Sequence, residues 1–119
     1  REDKGARLNQ LAKNLRFFGA PVGLFVYIDR KMGPPQWSDV GMFLQTVMLI
    51  AREKGLHSCA QEAWAMWHST VNKHLVVDNK FMLFCGMGIG YADENHPINS
   101  WRTDREEVDN FTTFYGFEK

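Results

Sequence analysis

The order of apolar and polar positions divides the chain into a small number of elements. Ala6, Leu8, Leu11, Ala12 and Leu15 fall close to a helical stripe and predict a helix over 6–15. Phe17-Phe18-Gly19-Ala20-Pro21 breaks it, since Pro21 has no amide to donate and disfavours helix at Ala20. Val22 to Ile28, VGLFVYI, is apolar without alternation and rich in β-branched and aromatic residues. It reads as a strand buried on both faces. Asp29 to Trp37, DRKMGPPQW, is a Gly/Pro-rich loop. Ser38 then suits the N-cap of a helix running to about Lys54, with Asp39 in its first turn and Arg52 and Lys54 in its last. Gly55 fits the left-handed position just past that helix. The helix middle, MFLQTVMLIA, is apolar nearly all round and belongs inside the structure or in a large interface.

Farther on, Ala60, Trp64, Trp67, Val71 and Leu75 predict the buried stripe of a helix over about 61–74, entered from the stretch GLHSCAQEAW, Gly55 to Trp64. Phe81 to Tyr91, FMLFCGMGIGY, is a second buried strand in which Gly86, Gly88 and Gly90 alternate. One face of that strand carries no side chains, so something must pack closely on it. A polar connection follows, ADENHPINSWRTDREE, and then a short aromatic tail, FTTFYGF, of the kind that adds to a sheet or to another subunit.

Composition narrows the class. At 119 residues, 45% hydrophobic and 24% charged, the chain is the size of one globular domain. Fourteen basic and fourteen acidic side chains balance, which argues against a nucleic-acid partner. Arg52 to Lys54 end the longest apolar run before the roughly 18 residues needed to span a bilayer. Cys59 and Cys85 have no CxxC spacing and read as reduced thiols of a cytoplasmic protein. The chain begins without methionine and in the middle of a helical pattern, which suggests a larger protein that has lost its front end.

Candidate chemistry is sparse. Cys59 beside His57 could be a nucleophile with its base, but residues two apart in a loop seldom align for proton transfer, and a small cysteine before a helix is commoner. His57, His68, His74 and His96 show no metal-ligand spacing. GMGIG lacks the third glycine and the helix of a dinucleotide loop. Arg102 and Arg105, three apart in a helical turn, could grip one anion, or could be a solvated pair matched by Asp104, Glu106 and Glu107. In GLHSCAQEAW the free amides of a helix entrance could hold a ligand with acceptors at its edge.

Taken in order, RFFGAPVGLFVYIDR, SDVGMFLQTVMLIAREKGLHSCAQEAW and GIGYAD followed by HPINSWRTDRE resemble the C-terminal half of the FMN-dependent nitroreductase family, from about Phe17 to Phe117. The resemblance implies an α+β fold, with a mostly antiparallel central sheet flanked by helices, and residues 1–119 as the C-terminal portion of a single nitroreductase-like domain. It also implies an intertwined homodimer with two FMN sites at the interface, NAD(P)H as co-substrate and a small nitroaromatic or quinone-like acceptor reduced by ping-pong hydride transfer. By the same resemblance, the backbone of Ala60, Gln61, Glu62 and Ala63 lies against the flavin ring, and Arg102 and Arg105 hold the FMN phosphate. No side chain is expected to act as a nucleophile or metal ligand.

The sequence departs from the family at two points. Ala60 stands where many members have proline, and Ala63 where several have glycine. An early arginine-serine-arginine cluster and a PS..N.QPW loop, both flavin-binding in the family, have no counterpart in these residues. The alternative is therefore a truncated, non-catalytic, dimerising remnant with weak or absent flavin binding. A deiodinase- or ring-reducing relative on the same fold is a third reading.

Overall fold

The computed structural model describes residues 3–117. Helix α1 (Lys4–Ala12) is capped by the Asp3 carboxylate, which accepts from the Ala6 amide at 2.9 Å. A 3₁₀ segment, Lys13–Gly19, continues it, and there the backbone turns sharply. Phe17 (φ 50°) and Phe18 (φ 52°) are both left-handed, a conformation costing about 1–2 kcal/mol per non-glycine residue. Strand β1 (Val22–Asp29) follows where the sequence predicts it.

Helix α2 (Pro35–Glu53) starts three residues before the expected Ser38 cap. Pro35 sits in its first turn, where the missing amide costs nothing and the fixed φ is already helical. Gly55 takes the left-handed conformation (φ 74°) expected of it. Val40, Leu44 and Ala51 form the buried face of α2. Met42, Phe43, Leu49 and Ile50 are each more than half exposed. Their spacing of seven puts them in a second apolar stripe on the other side of the helix.

The predicted helix over 61–74 is a correction. The chain instead forms strand β2 (His57–Gln61), a 3₁₀ turn (Glu62–Trp67) and a shorter helix α3 (His68–Leu75). Of the expected buried stripe only Val71 is fully buried, Trp64 is half-buried, and Ala60, Trp67 and Leu75 are exposed. Pairing with strand β3 (Phe81–Gly90) decides the matter, since the five residues HSCAQ carry no apolar period of their own.

The sheet has the order β1-β3-β2 and is antiparallel throughout. A bulge between Val26 and Tyr27 lets the register slip by one residue against β3. The core is Val26, Ile28, Val40, Leu44, Cys85 and Met87, with Met87 wholly enclosed.

The bare face of β3 is filled from within the chain. A Cβ on Gly86 would collide with the Trp64 indole, one on Gly88 would press on the Phe17 carbonyl at 3.1 Å, and one on Gly90 would meet Pro21 at 2.7 Å. Phe17, Phe25 and Trp64 interlock, with Phe17 stacked on Trp64 at 4.8 Å and Phe25 edge-on to Trp64 at 5.0 Å. This packing supports the left-handed Phe17, while Phe18 is exposed.

Beyond β3, two short helices, α4 (Pro97–Ser100) and α5 (Val108–Phe111), interrupt an irregular segment. Phe111, Phe114, Tyr115 and Phe117 are all exposed. The radius of gyration is 18.1 Å, against about 13–14 Å for a compact chain of this length. Much apolar surface therefore faces outward.

Candidate functional site

The stretch GLHSCAQEAW is the outer edge of the sheet. β2 pairs with β3 on one side, with Ala60 opposite Met87 and Gln61 opposite Gly86, and among the described residues no strand pairs with its other side. Ser58, Cys59 and Ala60 are small, so side chains do not screen this edge. Ala60 and Glu62 are exposed, Ala63 is half-buried and Gln61 is only 3% exposed. Glu62 opens a 3₁₀ turn, whose first amides have no partner within the turn. The result is a reachable strip of backbone with donors at a strand-to-turn junction, which suits the acceptor-bearing edge of a flat ligand.

Two side chains fix this strip from behind. The Gln61 amide nitrogen donates to the Asn14 carbonyl at 2.9 Å and to Asn14 Oδ1 at 3.3 Å. Trp64 fills the hollow over Gly86 and stacks on Phe17. Gln61 Oε1 and Trp64 Nε1 are buried without hydrogen-bond partners among the described residues. Asn14 and Phe17 escaped the reading of the sequence. For Phe17 the signal was there in the doubled phenylalanine before Gly-Ala-Pro, at the point where a turn must occur; for Asn14 there was none.

The conspicuous side chains take other parts. His57 Nδ1 accepts from the Ala92 amide at 3.3 Å and its Nε2 lies 2.6 Å from Arg52, so the ring ties β2 to its neighbours. It is not free to serve Cys59. The Cys59 sulfur rests near the Ala60 carbonyl at 3.9 Å, and burial pushes its thiol up from the ordinary value. Iodoacetamide should therefore modify Cys59 slowly at pH 7 and faster as the pH rises. A rate at pH 7 above that of free cysteine would restore the thiol as a candidate nucleophile. Burial, and then the Glu62 carboxylate, push the Cys85 thiol up as well. The stability this proton contributes is present at neutral pH and is lost as pH rises through the raised folded value. Among the described residues no group of three or more His, Cys, Asp and Glu side chains could hold a metal ion.

Arg102 and Arg105 lie in an irregular stretch rather than in a helical turn, so the helical argument for their sharing one side does not hold. His96 and Pro97 open only the short α4, and an extended backbone follows from Trp101. Both arginines are exposed, and Arg105 donates to the carbonyls of Thr103 and Asp104, each at 3.2 Å.

Known proteins resemble the chain closely. The nitroreductase family model matches residues 1–91. A 4-nitrobenzoate reductase of Pseudomonas putida is 44% identical over 117 residues, covering 98% of this chain and 52% of that protein. A nitrobenzene nitroreductase of Ectopseudomonas oleovorans is 36% identical, over 96% of this chain and 50% of its own length. The crystal structure of the FMN- and NADPH-dependent nitroreductase NfnB from Sphigopyxis sp. strain HMH superposes with a TM-score of 0.94 at 49% identity, over 98% of this chain and 52% of that one. The FMN-dependent NfnB of Mycobacterium smegmatis, solved with NADPH, gives 0.90 at 28% identity, over 97% and 52%. The chain spans about half the length of the curated relatives it matches. Helices packed on an antiparallel sheet, together with these likenesses, establish the α+β fold expected from the sequence, and the chain belongs to the nitroreductase family.

Proposed function

We propose that residues 1–119 form one nitroreductase-like unit of an FMN-dependent NAD(P)H oxidoreductase that reduces nitroaromatic or quinone-like acceptors. The observation that carries this reading is the exposed backbone edge running into Ala60–Ala63, flanked by the small side chains of Ser58, Cys59 and Ala60 and braced by buried Gln61 and half-buried Trp64. Such a strip fits the edge of a flavin. The chemistry bound FMN supplies is two-electron transfer, with NAD(P)H as donor and the acceptor following in ping-pong alternation. On this reading the amides of Ala60–Ala63 hold the ring edge, and Glu62 contributes through backbone placement more than through its carboxylate. The guanidinium groups of Arg102 and Arg105 hold the phosphate. No acid–base pair is needed on this reading.

The second apolar stripe of α2 and the exposed aromatic tail support a homodimer, in which each copy covers the other. Among the described residues no helix is long and apolar enough to cross a membrane. Two free thiols and balanced charge favour a cytoplasmic protein without a nucleic-acid partner.

Purified chain should take up FMN, turn yellow and bleach with NADPH. Replacing both Arg102 and Arg105 by alanine should weaken FMN binding by about a hundredfold or more, because each charge-assisted contact is worth about 1.5–3 kcal/mol. A colourless dimer that takes up no added FMN would favour the non-catalytic remnant instead. Unchanged retention in the double variant would place the phosphate elsewhere.

A further inference from the structure

Gln61 is the one buried polar residue among the described residues, and its burial asks for an explanation. The Asn14 carbonyl can only accept, so the amide nitrogen must face it and Oε1 must face inward, where no donor meets it. An apolar side chain of the same volume would fill this position without leaving an acceptor unmet. Packing alone therefore does not account for the amide. What the amide does is tie the last residue of β2 to a segment 47 residues earlier in the chain. Trp64 is tied to that same segment through Phe17. Glu62 and Ala63 lie between the two attachments, held from both ends. The segment that holds them contains both left-handed phenylalanines, a conformation that persists only where the surroundings enforce it.

The geometry points to the Gln61 side chain as a positioning group: anchored on Asn14, it holds the Ala60–Ala63 backbone in the attitude in which that backbone meets a ring edge. This role rests on the flavin reading above, and goes beyond it by giving the side chain a task separate from that of its own backbone. Binding is tighter when the donors are already in place, because no ordering is left to be done on association.

Gln61→Met keeps the volume and removes both hydrogen bonds. In the whole chain without FMN, exchange of the amides through which β2 pairs with β3 should quicken about tenfold while the amides joining β1 and β3 keep their protection, and the Kd for FMN should rise by a similar factor. Asn14→Ala, at a half-buried position, leaves the carbonyl contact and should show a smaller change in the same two readouts. Asn14→Asp keeps the side-chain acceptor and should restore both. Exchange that quickens equally in all three strands would mean a plain loss of stability, and would overturn the inference. Faster local exchange with unchanged FMN affinity would overturn it too. An unaltered chain that takes up no FMN would defeat the flavin reading itself and the positioning role with it, leaving the exchange response to report a structural anchor only.

Discussion

Replacing Leu49 and Ile50 together by aspartate should leave the chain monomeric at concentrations where the unaltered chain sediments as a dimer. Both side chains project from α2 away from the core, 61% and 52% exposed, beside Met42 and Phe43. The opposite face of the helix already buries Val40, Leu44 and Ala51, so the outward stripe is surplus to this chain's own packing. Covering a leucine or isoleucine is worth about 1.5–3 kcal/mol. A two-fold interface counts each loss twice, so the double substitution removes about 6 kcal/mol or more, over four orders of magnitude in the dimer Kd. Desolvating four carboxylates would add to this. Analytical ultracentrifugation of both proteins checks it. An unaltered chain that is monomeric at tens of micromolar, roughly the range where weak self-association shows, would mean that α2 faces some other partner.

The elements that the sequence made legible are those whose own composition decides them. VGLFVYI and FMLFCGMGIG were legible as strands, although β1 is fully buried only at Val26 and Ile28, on one face, and not on both as expected. Gly55 ends α2 in the left-handed conformation expected of it. The glycine ladder announced a close approach, and Trp64, Phe17 and Pro21 provide it. β2 was illegible because HSCAQ has neither apolar alternation nor β-branched residues, and its conformation comes from Gly86 to Gly90 across the ladder. Trp64 fitted a helical stripe as well as it fits the hollow it occupies. Only the position of Gly86 opposite Gln61 distinguishes the two. The early start of α2 shows a local rule overruled by another, a proline in the first turn prevailing over a serine cap.

The candidate site was legible as a place more than as a geometry. Backbone between Ala60 and Ala63 could be singled out, but the tie from Gln61 to Asn14 spans most of the intervening fold and leaves no local trace. The spacing of Arg102 and Arg105 suggested a shared side only if the segment were helical, and Trp101 to Glu107 is not. The proposal that they hold a phosphate now rests on charge, exposure and family resemblance alone.

Gly86→Ala should be the most damaging single-methyl change in the sheet, lowering stability by about 1–3 kcal/mol, or more if Trp64 is expelled. A Cβ there would occupy the space of the Trp64 indole carbons, on a backbone that is itself fully buried between β1 and β2. The indole cannot simply slide away, because Phe17 stacks on one of its faces and Phe25 meets it edge-on. Relief must come from rotating Trp64 out, which releases the 3₁₀ turn, or from opening the Gln61–Gly86 pairing at the end of β2. Either route moves Glu62 and Ala63, so the damage should reach the proposed ring edge as well as the core. Gly41→Ala serves as the contrast: it lies on α2 where a Cβ meets nothing within 4 Å, and should stabilise by about 0.5–1 kcal/mol through helix propensity. Urea midpoints of the two variants should therefore move in opposite directions. Combining Gly86→Ala with Trp64→Ala, which removes the colliding atoms, should cost less than the sum of the two single changes. Strict additivity would show that Trp64 does not depend on the bare face of β3, and the account of the glycine ladder would fail with it.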